Sequence, residues 1–266
     1  MSWESCILAS INLHQIYNKK TKSIDYELLK DMVKTITRFL EDVTEVTEAP
    51  IKEINDISKG LRRLGGGVLG FADLLVELNI PYGSKESVEL SEYLDWFISF
   101  HAWETSYELA KERGHFSLYD KEKVNLHVVE KVLYSDKYEH SKISKEDLRE
   151  IGLRNVAVGS IAPTGSIAII GGVNSGIEPF FALAYRRNIT EGIGNIAKDH
   201  IFEINPALEN KLKSFGYTKE QIEEIVSYAV DNGTLSGCDL VSSEIQEIFK
   251  IANEIPWEDH VAIQAA

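Results

Sequence analysis

Three observations predict an α/β architecture for this chain. The 266 residues contain short apolar runs rich in β-branched side chains, above all residues 156–161, of a length suited to buried strands. Other stretches repeat apolar residues at helical spacing, as Leu28, Leu29, Met32, Val33, Ile36, Leu40 and Val43 do. Glycine, proline and serine punctuate the changes from one pattern to the other. A composition 44% hydrophobic and 26% charged is enough to bury a core, in one large domain or two small ones.

Taken in order, residues 3–13 form a short apolar segment with a thiol, Cys6, near its start, and read as a strand. On residue type alone, a single cysteine in such a strand reads first as a small core side chain. Residues 25–47 read as an amphipathic helix covering that strand. Three consecutive glycines at 65–67 then stand between Arg62-Arg63 and an apolar helical run from Gly70. They suit either an anion loop or close packing of strand and helix, and close packing is favoured. The run from Gly70 ends near residues 79–84, where Ser84 caps a long helix reaching Arg113 and burying Leu90, Leu94, Phe97, Ile98 and Trp103. His101 lies among these aromatics and reads as a structural histidine. Residues 121–150 are charged and broken into short helical patterns.

The richest stretch is 153–170. An apolar strand, 156–161, breaks at Pro163 into Thr164-Gly165-Ser166 and turns apolar again as a short helix. Such a turn aims the N–H groups of Gly165, Ser166 and Ile167 at one point, with the Thr164 and Ser166 hydroxyls alongside and the helix dipole in the same sense. That is a phosphate cradle. The spacing fits neither a Walker A loop nor a dinucleotide fingerprint, and a hydroxyl-rich helix cap remains the competing reading. Residues 175–187 read as a further strand with Glu178 at its start and Arg186-Arg187 at its end, followed by shorter helices around 206–215, 218–232 and 243–253 and a final run at 257–266.

A net charge of −14 repels polynucleotide, so a nucleotide ligand would be held locally by backbone donors. Two cysteines, Cys6 and Cys238, are too few for a disulfide scaffold. With no signal peptide and no apolar run of bilayer length, neither membrane nor secretion is expected, and the expected location is the cytoplasm. No histidine, cysteine and carboxylate set has metal-ligand spacing.

Gly-Leu-Arg-Asn at 152–155, Ala-Pro-Thr-Gly-Ser at 162–166 and Ser-Gly-Ile-Glu-Pro at 175–179 together resemble the substrate-phosphate region of the ribonucleotide reductase catalytic subunit. Glu4-Ser5-Cys6, Ser10-Ile11-Asn12-Leu13, Arg62-Arg63, Asp73-Leu74-Leu75 and the run from Trp257 through His260 to Gln264-Ala265-Ala266 agree in the same order. The motif wording is closest to the adenosylcobalamin-dependent class II enzymes, and class I large subunits share most of it. The resemblance implies part of a ten-stranded α/β barrel, with residues 1–266 as the C-terminal portion of the catalytic barrel domain. It implies substrate-phosphate binding at Thr164, Gly165, Ser166 and Ile167. Cys6 becomes one of two cysteines that supply reducing equivalents, while Cys238 matches no family cysteine and stays structural.

The implied reaction reduces ribonucleotides to 2′-deoxyribonucleotides: a thiyl radical removes the ribose 3′ hydrogen, the 2′ hydroxyl leaves as water, and the cysteine pair ends as a disulfide. An external dithiol such as thioredoxin then resets that disulfide. The Asn-x-Cys-x-Glu motif of the radical cysteine is absent here, as are the partner cysteine and the allosteric region. The expectation is therefore a piece of the enzyme, from a split gene, an interrupted coding segment or a truncated gene model. It is inactive without an upstream segment, homodimeric once assembled, and by itself exposes apolar patches. The alternative is a non-catalytic nucleotide-binding or structural remnant.

Overall fold

Capping residues and glycines divide the chain much as its pattern predicts. The computed structural model describes residues 3–189 and 199–266, with backbone alone over 185–189 and 199–203. Strand β1 (Ile7–Asn12) leads through a 3-10 turn to the short strands β2 (Tyr17–Asn18) and β3 (Ser23–Ile24). Asp25 starts helix α1 (Tyr26–Val46) by accepting the Leu28 N–H at 3.0 Å. Helix α2 (Lys52–Leu61), strand β4 (Leu64–Leu69), helix α3 (Phe71–Leu78) and the long helix α4 (Lys85–Arg113) follow. Next come α5 (His127–Leu133), α6 (Lys145–Ile151) capped by Ser144, and α7 (Gly165–Gly171). Strands β5 (Ala184–Ile189) and β6 (Asp199–Ile204) precede α8 (Pro206–Ser214), α9 (Lys219–Asn232), α10 (Ser243–Ile248) and α11 (Trp257–Ala265). In α9, Thr218 and Gln221 satisfy each other's backbone N–H groups as a capping box.

The chain divides into two units. The first takes Met1–Ile11, Ile24–Val68 and Ser91–Thr164. Its centre is the pair β1 and β4, with residues 157–160 laid along β4 through Leu64 N–H to Ala157 O (2.9 Å), Gly66 N–H to Val158 O (3.1 Å) and Ser160 N–H to Gly66 O (2.9 Å). The expected strand at 156–161 is thus a single parallel bridge, Gly66 to Gly159. The glycine triplet serves close strand packing: a Cβ at Gly66 would stand 2.9 Å from Val158 O, and one at Gly67 would overlap Ser160 O. Leu29, Val33, Leu40, Leu94, Phe97, Phe100 and Trp103 fill the core. On α1 the buried stripe runs Leu29, Val33, Thr37, Leu40, Glu41, Thr44, while Leu28 faces solvent. Thr37 and Thr44 are tolerated inside because each hydroxyl donates to the carbonyl four residues back, at 2.8 and 2.9 Å.

The second unit takes Asn12–Ser23, Leu69–Leu90 and Gly165–Ala266. Its core joins Phe180, Leu183, Leu208, Leu212, Ile225 and Phe249, with the Phe180 and Phe249 rings stacked 6.0 Å apart, and Cys238 is fully buried among them. The expected strand over 175–187 begins only at Ala184. Residues 174–179 turn instead, because the Asn174 amide donates to Glu178 O and Pro179 O and the Glu178 N–H bonds Ser175 O. Strand β5 runs antiparallel to β6, from Ala184 opposite Ile204 to Ile189 opposite Asp199. The side chains of Arg186 and Arg187 lie outside the described residues. The predicted helix at 243–253 stops at Ile248 and resumes as a 3-10 turn at Ala252–Glu254. Ile167, Ile169 and Ile170 on α7 are exposed, as is Phe181. Among the described residues the strands form three two-stranded sheets, and none closes into a barrel.

Candidate functional site

Cys6 lies one residue before β1, in the first unit, and its thiol reaches solvent. Its Sγ–H points weakly at Ile7 O, 3.8 Å away. Partial burial pushes the thiol pKa up, the nearby Arg63 guanidinium pulls it down, and the Glu4 carboxylate adds to the rise. Arg63 and Glu4 are themselves an ion pair. The chain thus keeps Cys6 protonated more readily than a free thiol while holding a cation beside it.

The phosphate-cradle residues fall at the N-terminus of α7. Thr164 is 9% exposed and adopts φ +50°, a left-handed conformation that a β-branched residue takes only when its surroundings impose it. Gly165, Ser166 and Ile167 then form the first helical turn, exposed to solvent, where N–H groups have no intrahelical acceptor. A Cβ at Gly165 would meet nothing within 4 Å, so the chain's own packing does not demand glycine there. Cys6 belongs to the first unit and Gly165, Ser166 and Ile167 to the second, with Thr164 the last residue of the first.

The turn after α7 is held by Asp73, a residue singled out in the sequence only as part of a motif. Its carboxylate, 3% exposed, accepts the Asn174 N–H at 2.7 Å, and Asn174 in turn fixes 178–179. Burial pushes the Asp73 carboxyl above the usual range, with the Asn174 N–H opposing. Because the folded-state value is raised, ionisation opposes folding: that opposition is absent well below the unfolded value of about 4 and complete above the folded value. Asp73→Asn keeps an acceptor oxygen and cannot ionise. Its stability relative to the parent is expected to improve as pH rises from about 4 to 7, measured by urea denaturation at several pH values. A constant difference across that range would contradict the assignment.

Sequence reasoning missed a buried charge cluster in the first unit. Glu41, 0% exposed, accepts from Arg62 Nε at 2.7 Å, Arg154 Nε at 2.6 Å and Asn155 Nδ2 at 2.7 Å. Asn155 also bonds Arg62 O and Ser106 Oγ, and Arg62 holds φ +52° as the left-handed cap of α2. Two residues of the Gly-Leu-Arg-Asn motif, Arg154 and Asn155, are therefore anchored on one α1 carboxylate. A glutamate in step with the apolar stripe of α1 was the available signal.

No group of three or more histidine, cysteine or acidic side chains is arranged for a metal ion among the described residues, and none of their helices is long and apolar enough to cross a membrane.

A family profile described as "Ribonucleotide reductase, barrel domain" matches residues 1–266. The vitamin B12-dependent ribonucleoside-diphosphate reductase of Thermoplasma acidophilum is 36% identical over 265 residues, which is 100% of this chain and 30% of that protein. The enzyme of the same name from Mycobacterium tuberculosis is 32% identical over 266 residues, 100% of this chain and 33% of the relative. The chain thus spans about a third of the length of the curated relatives it matches. The Actinobacillus ureae class Id ribonucleotide reductase alpha subunit superposes with a TM-score of 0.63 at 23% identity, over 98% of this chain and 41% of that one, a likeness of fold. Since the profile accounts for every residue, this chain belongs to the ribonucleotide reductase barrel-domain family.

Proposed function

We propose that this chain works in the reduction of ribonucleotides to 2′-deoxyribonucleotides, as part of a ten-stranded catalytic barrel completed by further polypeptide. The observation that carries the reading is Thr164 in a left-handed conformation immediately before an exposed first turn at Gly165, Ser166 and Ile167. The strain at Thr164 sets the direction of that turn, and the turn offers N–H donors with a helix dipole behind them. Their role is to hold the substrate's phosphates, diphosphate or triphosphate, and so to orient the ribose.

Cys6 supplies one of two thiols. It and a partner cysteine on the upstream segment give up two electrons and two protons as they join, and a thioredoxin-like dithiol restores them. The radical cysteine also belongs to that upstream segment, and the assembled enzyme is a homodimer. Relatives named vitamin B12-dependent support adenosylcobalamin as the cofactor of the assembled enzyme. Among the described residues, the buried side-chain atom lacking a hydrogen bond, His101 Nδ1, is not presented to a corrin: it lies 3.5 Å from Glu104 Oε2 in a ring packed edge-on against Phe97 and Phe100.

The test is calorimetry on the reconstituted enzyme, titrating a ribonucleotide and the matching nucleoside. Ser166→Ala removes one hydroxyl donor and leaves the backbone donors, so nucleotide binding is expected to weaken by roughly 1.5–3 kcal/mol at most. Gly165→Val places a branched side chain in the open space over the turn and is expected to weaken it more. Nucleoside binding should stay unchanged in both variants. Parental nucleotide affinity in both would return the turn to a simple helix cap.

A further inference from the structure

The residues that face one another across β1 and β4 are unequal in size. Cys6 and Leu8 lie over Gly65. A Cβ built at Gly65 would overlap the Leu8 side chain, stand 2.9 Å from Cys6 Sγ and come within 3.3 Å of Ile7 O. Carbon and sulfur atoms in contact prefer roughly 3.5–4 Å, so even alanine would displace the thiol. Backbone conformation does not explain the glycine, since Gly65 is not among the positive-φ residues. The Ile7 oxygen that a Cβ would crowd is also the one the thiol points at. Two residues earlier, Arg63 is held by Glu4 on the other side of Cys6 in sequence.

We propose that Gly65 is a positioning residue for the Cys6 thiol, its missing side chain forming the slot that seats Sγ against β4 beside the Ile7 carbonyl. Disulfide formation tolerates only a narrow range of Cβ–Cβ separations, about 3.5–4.5 Å, so the seat decides whether Sγ can meet a partner sulfur. The functional meaning rests on the reducing role proposed for Cys6. The seat itself does not.

Cys238 is fully buried, so alkylation by iodoacetamide reports on Cys6 in the chain as it stands. Gly65→Ala is best made in a Leu8→Ala background, where the larger overlap is gone and the sulfur contact remains. It is expected to turn Sγ towards solvent and lower the midpoint of the pH–rate profile by about half a unit. That corresponds to about threefold faster alkylation near neutral pH. A rate no faster than that of the Leu8→Ala parent, with the same midpoint and circular dichroism, overturns the proposal. Should the double variant lose cooperative unfolding, adding Cys6→Ala removes the remaining clash and is expected to restore it. Failure to restore it also overturns the seat. In the reconstituted enzyme, retained turnover by Cys6→Ser would defeat the reducing role and leave the alkylation result standing, so the two failures are distinguishable.

Discussion

Cys6→Ser in the reconstituted reductase is expected to abolish multiple turnover with an external dithiol while leaving ribonucleotide affinity close to that of the parent. Serine is a small side chain with a donor near Ile7 O, so the strand pairing of β1 with β4 is undisturbed. What it loses is the capacity to form a disulfide, and with it, on the reducing role proposed for Cys6, the two electrons of each cycle. Affinity is spared because the phosphate-binding turn proposed at Gly165, Ser166 and Ile167 is a separate element of the chain. Steady-state product formation with thioredoxin or dithiothreitol, set beside calorimetric binding, checks both halves. Undiminished turnover would return Cys6 to the role of a small side chain at the start of a strand.

Glu41→Ala is expected to destabilise the first unit by about 3–5 kcal/mol, the range for removing one partner from a buried ion pair. The carboxylate is the shared acceptor of Arg62, Arg154 and Asn155, and all three lose it at once. Glu45 is the carboxylate left to Arg62 and Arg154, held below its usual range chiefly by its hydrogen bond from Arg62 but standing largely in solvent, and Arg154 keeps besides it the Arg113 and Gly114 carbonyls. Glu45→Ala is the comparison: an exposed partner is worth about 1 kcal/mol or less. Urea denaturation of the two variants side by side is the measurement. Equal losses would mean that the buried carboxylate contributes no more than the exposed one. A large loss for Glu41 alone would also loosen Arg154 and Asn155, and with them the start of the segment that runs along β4 towards Thr164.

Much of the local structure was legible in the sequence, for reasons that lie within a few residues. Ser84 announces the long helix α4 because its side-chain oxygen meets the Ser87 N–H three positions on, whatever the rest of the chain does. The extent of α1 and α9 follows from apolar spacing in the same way, and the α/β mixture follows from both. The helix start at Gly165 was legible too, from the break at Pro163 and the hydroxyl-rich residues after it, although the strand expected before it is a single bridge.

Spacing alone reached no further than that. It gave Leu28 a buried place that Thr37, Glu41 and Thr44 hold instead, because the stripe's edges depend on what packs against them. It extended a strand back to residue 175, where Asn174, anchored by Asp73 from 101 positions away, closes a turn. The sequence by itself determined the α/β mixture, the extent of the main helices and the family resemblance of its motifs, because each is carried by residues close together in the chain. Only the tertiary structure decided that Glu41 gathers Arg62, Arg154 and Asn155 and that Gly65 makes room for Cys6. Those pairings span 21 to 114 positions and 59 positions respectively. Their partners are chosen by which helix and strand surfaces meet in three dimensions, and no periodicity along the chain encodes that meeting.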